Sequence, residues 1–251
     1  MTDGKLAGQY FDAAIALLRR VRDEDAETIE AAATLLADTV EAGGRLFAYG
    51  AGHSSLPAQD LVYRAGGLAL MNLLVVPGAL GVDVRPATLG SALERVGGLA
   101  DVVLETSPLR AGDALVVISL SGRNTLPVEL AVGARALGVK VIGVTSVAYA
   151  SETTSRSASG TFLKDHCDLV LDSRIPVGDA ELTLEGIPAP FGPTSTVVTS
   201  ALLQAVVATA AGVLVGRGIQ PPLLRSGNVD GGHAWNARVM DEYGDRIFYD
   251  H

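Results

Sequence analysis

Five short runs of apolar and β-branched residues recur along this chain with helical stretches between them: Arg45 to Tyr49, Leu70 to Val76, Ala114 to Ser119, Lys140 to Thr145 and Asp168 to Asp172. Strands separated by helices are joined by crossovers rather than hairpins, and the crossover helices cover the faces of a parallel sheet. The alternation therefore predicts an α/β protein. Each run ends in, or is followed by, Gly, Ser or Pro. In sheets of this kind ligands sit beyond the carboxyl ends of the strands, where the following loops expose helix N-termini. Between the runs, Asn124 to Leu137 and the segment around Leu89 to Glu105 carry helical patterns. Residues 5 to 42 read as two amphipathic helices: Tyr10, Phe11, Ala14, Leu17, Leu18 and Val21 form one stripe and Ile29, Ala32, Leu36 and Val40 the next. Gly43-Gly44 stops the second helix. After Asp172 come a Pro/Gly-rich connection (Ile175 to Pro193), a long helix from Ser195, the segment Pro221 to Gly227, and a last helix from about His233 to Tyr243.

With 251 residues, 48% of them hydrophobic, the chain can bury a full core, and it is short enough for one domain and one site. Its net charge of −9 counts against nucleic acids and anionic membranes as partners, because both repel an acidic surface. The single cysteine, Cys167, excludes an internal disulfide, and four histidines with no i, i+4 pair give no metal signature. His166, beside that cysteine, and His251 at the terminus read as structural or exposed. The stretch Val197 to Val215 is long and apolar enough for a membrane span, but Thr199, Ser200, Gln204 and Thr209 interrupt it, so it is expected to be a helix buried on a sheet. The first residues lack the order of a secretory signal, which makes cytoplasm the expected location.

Two loops carry the chemistry. The first, Tyr49-Gly50-Ala51-Gly52-His53-Ser54-Ser55, follows a strand and opens a helix, where glycines let the backbone approach an anion. It is not a dinucleotide fingerprint: Ser55 stands at the third glycine position, and the next strand ends Leu74-Val75-Val76-Pro77 without the acidic residue a ribose needs. The second loop, Ile118-Ser119-Leu120-Ser121-Gly122-Arg123-Asn124-Thr125, puts two hydroxyls at a strand end. There Asn124 or Thr125 can cap the next helix and bond a phosphate oxygen.

In this order the two loops resemble the SIS (sugar isomerase) family. Gly50-Ala51-Gly52-His53-Ser54 is similar to its first phosphate motif and Ser119-Leu120-Ser121-Gly122-Arg123-Asn124 to its second, over roughly residues 30 to 215. The resemblance implies a three-layer αβα sandwich with a five-stranded parallel sheet wound as in flavodoxins. It would form one domain, with a helical pair over residues 1–43 and a helical extension over 220–251. It also implies a homodimer or homotetramer with sites at the subunit interface. By the same resemblance Ser54, Ser55, Ser119, Ser121 and Asn124 hold a sugar phosphate, with Thr125 able to substitute for Asn124, and no cofactor is needed.

Catalytic members of that family remove the C2 proton of an open-chain sugar phosphate with a carboxylate. The motifs here look closer to those of N-acetylmuramic acid 6-phosphate etherase than to those of phosphoheptose isomerase, which implies elimination at C3 of an N-acetylhexosamine 6-phosphate. The rival activities are aldose/ketose isomerisation and noncatalytic sugar-phosphate sensing. Where the etherase has a glutamate ten residues after the first-loop serine, this chain has Arg64, which cannot be a base but can steady an anion. The second etherase carboxylate falls near Glu94, the leading candidate base, with Asp60 the next. His53, inside the first loop, is expected to contact ligand. His233 is expected to open the sugar ring, from its own or a neighbouring subunit.

Overall fold

The computed structural model describes residues 5–249. The five runs form one sheet of β1 (Leu46–Gly50), β2 (Met71–Leu73), β3 (Ala114–Ile118), β4 (Lys140–Thr145) and β5 (Leu169–Asp172). All pairings are parallel, in the spatial order β2-β1-β3-β4-β5. Helices α1 (Lys5–Glu24) and α2 (Ala26–Glu41) precede the sheet. Within and after it come α3 (Ser55–Asp60), α4 (Ala87–Leu93), α5 (Leu99–Thr106), α6 (Thr125–Ala136), α7 (Val147–Glu152), α8 (Ser195–Gly216) and α9 (Gly232–Tyr243). His251 lies outside the described residues.

Period-two alternation sends the strands' side chains into two cores, which makes three layers. Leu46 and Ala48 of β1 and Val116 and Ile118 of β3 pack with Leu17 and Val21 of α1, Leu36 and Val40 of α2, and Leu202 and Val206 of α8. Phe47 and Tyr49, with Leu115 and Val117, point the other way, onto Val103 and Leu104 of α5 and Leu126 and Leu130 of α6. The long apolar stretch is thus α8, the central helix of one layer. By length and composition alone it is also the one helix among the described residues that could cross a membrane.

Three details depart from the sequence pattern. The expected helix around residues 89 to 105 is broken in two, because Gly98 takes a left-handed φ of 77° that ends one helical path and starts α5. The second strand keeps only three paired residues of its apolar run. In α1, Ala14, Leu17 and Val21 are buried as the stripe requires, yet Phe11 is 65% exposed.

At the amino edge of the sheet Arg45 and Asp113 bridge β1 and β3, with Nη2 donating to Oδ2 at 2.7 Å in a buried pair. Behind β2, the buried Asn72 amide donates to Leu46 O and Arg246 O and accepts from Phe248 N, which fastens the C-terminal segment to the sheet edge. The strand order reverses between β1 and β3, one winding towards β2 and the other towards β5. Gly50 and Ile118 are register partners, so both serine loops leave the sheet side by side at the crevice where such folds bind ligands.

Candidate functional site

The first loop makes a single 3-10 turn at Gly52–Ser54 before α3. Gly50 cannot be replaced there, because a Cβ would collide with the carbonyl of Ser54. Ser55, fully buried, donates to Gly52 O at 2.6 Å and accepts from Gly81 N and Gln59 Nε2, both at 3.1 Å. Its hydroxyl therefore holds the turn and the 79–81 segment together, and the expectation that it bonds a phosphate is corrected to this internal role.

The second loop is held from the β4 side, with Ser119 N donating to Val144 O and Ser146 N to Leu120 O. Gly122, at φ +56°, has Thr145 Oγ1 2.8 Å from where a Cβ would stand. The hydroxyls of Ser54, Ser119 and Ser121 have no hydrogen-bond partner among the described residues, and neither do the N–H groups of Ser121, Arg123, Asn124 and Thr125 that surround the start of α6. Ser54 stands on the first loop and Ser119 and Ser121 on the second, next to the open end of the twelve-residue α6, and these are donors of the kind that can hold an anion.

The Asn124 and Thr125 side chains turn to protein partners. The Asn124 amide donates from Nδ2 to Glu94 Oε2 at 2.7 Å and accepts from Arg156 Nη1 at 3.0 Å. The buried Thr125 hydroxyl donates to Arg156 O at 3.2 Å. The single Thr125 hydroxyl donor is used on the protein, and the Asn124 amide is held by its oxygen and one of its two N–H groups, so both side chains serve first as internal links in this geometry.

Glu94 follows α4 and is half-buried, and its backbone O accepts from Leu126 N of α6. It lines a cavity of about 260 Å³ with Gly52, His53, Gly81 and Ser91. Burial pushes its carboxyl above the usual glutamate range, against the opposing pull of the Asn124 hydrogen bond and of Arg95 and Arg156. Tyr49, fully buried on β1, has a hydroxyl without a partner; desolvation first, and the Glu94 charge second, keep it protonated. His53, exposed, lines this cavity and also a tight cleft that Ser54 lines with it.

That cleft contains residues the sequence reading missed: Ser173 after β5, and Ser195, Thr196 and Thr199 at the start of α8. Ser173 is 1% exposed and its hydroxyl has no partner. A signal for Ser173 existed, since it follows a strand end just as Ser119 and Ser146 do. The α8 residues belong to no local motif and become neighbours of Ser54 only through the fold.

The remaining candidates stand elsewhere. Asp60 is paired with Arg64 and accepts from Gln204 Nε2 of α8 at 2.9 Å, so it anchors α3, and neither it nor Arg64 lines the cavity or the cleft. His233 lines a separate cavity of about 220 Å³ with Tyr63, Arg225 and Asn236, and within one protomer it does not meet Glu94. His166 bonds Thr161 Oγ1 at 2.7 Å, and burial pushes the Cys167 thiol up to about 12.

A parallel β2-β1-β3-β4-β5 sheet with two serine loops at its switch point defines a phosphosugar-binding α/β protein. Residues 9–146 match the SIS domain, and the chain belongs to that family. It is 78% identical to a UPF0309 protein of Streptomyces coelicolor over 249 residues, 99% of each chain. To the UPF0309 protein of Shouchella clausii it is 37% identical over 241 residues, 96% of this chain and 98% of that one. Its fold is similar to phosphoheptose isomerase from Neisseria gonorrhoeae, with a TM-score of 0.54 and 18% identity over 83% of this chain and 98% of that one. It is also similar to a phosphoheptose isomerase from Francisella tularensis, with a TM-score of 0.51 and 17% identity over 83% of this chain and 100% of that one.

Proposed function

We propose that this SIS protein is a cytoplasmic enzyme acting on an N-acetylhexosamine 6-phosphate, such as N-acetylglucosamine 6-phosphate, by removing the C2 proton and eliminating water from C3. The observation that carries the reading is the half-buried Glu94 carboxylate, which opens onto the same cavity as His53 and Gly52 of the first serine loop and bonds Asn124 of the second. Ser54, Ser119, Ser121 and the start of α6 hold the phosphate. The C1 aldehyde of the open-chain sugar acidifies the C2 hydrogen, and Glu94 accepts that proton while the electron pair moves into the carbonyl to give an enolate. The pair returns to form a C2–C3 double bond, and the C3 oxygen departs as water after taking a proton from His53 or from the newly protonated Glu94. The balance is the loss of one water with no change of oxidation state. His233 serves ring opening from a neighbouring subunit.

A second reading is aldose/ketose isomerisation, favoured by the likeness to the Neisseria phosphoheptose isomerase. It shares the base and differs in returning the proton to C1. Incubation with a panel of sugar 6-phosphates, followed by mass spectrometry and chromatography, separates the two. Loss of one water from N-acetylglucosamine 6-phosphate is expected. An isomer of unchanged mass would install the second reading, and binding without turnover of any sugar would contradict both.

A further inference from the structure

The connection between β4 and β5 carries a Ser/Thr-rich stretch, residues 151–161, that no step above uses. It is tied to the second serine loop at three points. Arg156 N donates to Arg123 O at 2.8 Å, Thr125 Oγ1 donates to Arg156 O at 3.2 Å, and Arg123 Nη2 donates to Thr154 Oγ1 at 3.3 Å. With its N–H and C=O both fixed to the loop, Arg156 has little freedom in where its side chain starts. The guanidinium ends on Asn124 Oδ1, and the other end of the same amide donates to Glu94. An amide that accepts from a cation is polarised into a better donor, so the three groups form a directed chain from positive charge to carboxylate.

We propose that Arg156 is a positioning residue for the base: acting through Asn124, it fixes the orientation of the Glu94 carboxylate and keeps it charged inside the cavity. The inference rests on the reading of Glu94 given above. It also explains why an amide stands at position 124. A serine or threonine hydroxyl would have to donate and accept at one oxygen closer to the backbone, whereas the longer amide reaches the carboxylate with Nδ2 and the arginine with Oδ1.

Other charges face Glu94. Arg95 adjoins it in the chain and opposes its protonation, as Arg156 does. Tyr49 on β1 stays neutral, His53 lies across the cavity, and Asp83 stands against Gly81 on the cavity wall. Arg123 crowds Arg156, and Glu129 of α6 bonds Gly98 N rather than entering the network. Among these groups only Arg156 reaches Glu94 through a fixed hydrogen-bonded link, so its removal is expected to act on the carboxylate and not only on the surrounding field.

The test compares Arg156→Gln, Arg156→Lys and Asn124→Ala with the unaltered protein in two measurements. The first is a carbon-13 NMR titration of glutamate carboxyls, with the Glu94 resonance assigned by its loss in Glu94→Gln; it requires no turnover. The second is the pH profile of kcat/KM with N-acetylglucosamine 6-phosphate. In Arg156→Gln the Glu94 midpoint and the acidic limb are expected to move together to higher pH, giving a several-fold loss at low pH that disappears at high pH. Arg156→Lys should recover much of the shift, and Arg156→Gln should add nothing in an Asn124→Ala background. An unmoved Glu94 midpoint in Arg156→Gln overturns the proposal, as does a shift that lysine fails to reverse. A raised KM with an unmoved limb would make Arg156 a substrate anion ligand and would also overturn it. If instead Glu94→Gln turns over at the full rate, the reading of Glu94 as the base fails, while the NMR titration still decides whether Arg156 governs its charge.

Discussion

Glu94 has to be charged to accept a proton, in a cavity whose burial disfavours the charge. Its raised carboxyl means that activity is gained as pH rises through that value, so the acidic limb of kcat/KM should lie above the ordinary glutamate range of about 4.3. Stability runs the other way. A carboxyl that is harder to ionise in the folded state favours folding below its unfolded pKa, and that contribution is lost as pH rises through the folded value. Glu94→Gln keeps the shape and removes the basicity, so turnover should fall by roughly 10²- to 10⁴-fold with little change in substrate binding. Full turnover would dismiss Glu94. Ser121→Ala should weaken phosphate binding by about tenfold or more, the worth of one hydrogen bond to a charged group, as isothermal titration would show. Asn124 marks the limit of what one position reveals. Its type was readable as polar and helix-capping, but its direction depends on Glu94, 30 residues before it, and on Arg156, 32 after it. No local pattern holds that information.

At the scale of elements, strands and loops were legible because their signals are local: short continuous apolar runs, and glycines where the backbone needs them. A side chain at Gly50 would strike the turn that follows it, and one at Gly122 would strike Thr145 at the end of β4. The break at Gly98 was missed because flanking apolar residues continue a helical pattern across a glycine whose left-handed φ the pattern does not register. The cleft residues Ser195 and Thr196 escaped because α8 meets the first loop only after the sheet has formed. That convergence depends on β1 and β3 lying side by side, and the Arg45–Asp113 pair ties them at the edge opposite the site. Arg45 also lies 5.9 and 5.4 Å from the ring centroids of Phe47 and Phe248, so the pair bonds the sheet to the C-terminal segment as well. Asp113→Ala would leave a buried guanidinium without its carboxylate, at a cost of about 3–5 kcal/mol. Urea unfolding should register that loss directly. A midpoint within experimental error of the parent would mean that the cation finds water or another acceptor.

For the molecule as a whole, the order β2-β1-β3-β4-β5 places the site but also leaves one outer layer with an uncovered face. Along α8, Val197, Ala201, Ala205, Ala208, Gly212 and Val215 recur every three or four residues and are exposed, Val215 at 61%. On α1, Phe11 and Ile15 are exposed one turn apart. Between these helices and α2 runs a groove of about 350 Å³ lined by Leu18, Val21, Ile29, Ala201, Ala205 and Thr209. Water against so much apolar surface is costly, and a second copy offering the same face in a two-fold arrangement would remove it. We therefore expect a homodimer that buries well over about 1,000 Å² across α1 and α8. Since α8 begins at Ser195 and Thr196, beside Ser54, pairing there would also brace the cleft. Ala205→Glu tests this face with little risk to folding, because the side chain is exposed in the protomer. Two like charges brought together across a two-fold interface cannot be solvated, so sedimentation at micromolar concentration should show the parent as a dimer and the variant as a monomer with an unchanged circular dichroism spectrum. A parent that sediments as a monomer contradicts the dimer, and a variant that stays dimeric moves the interface to another face.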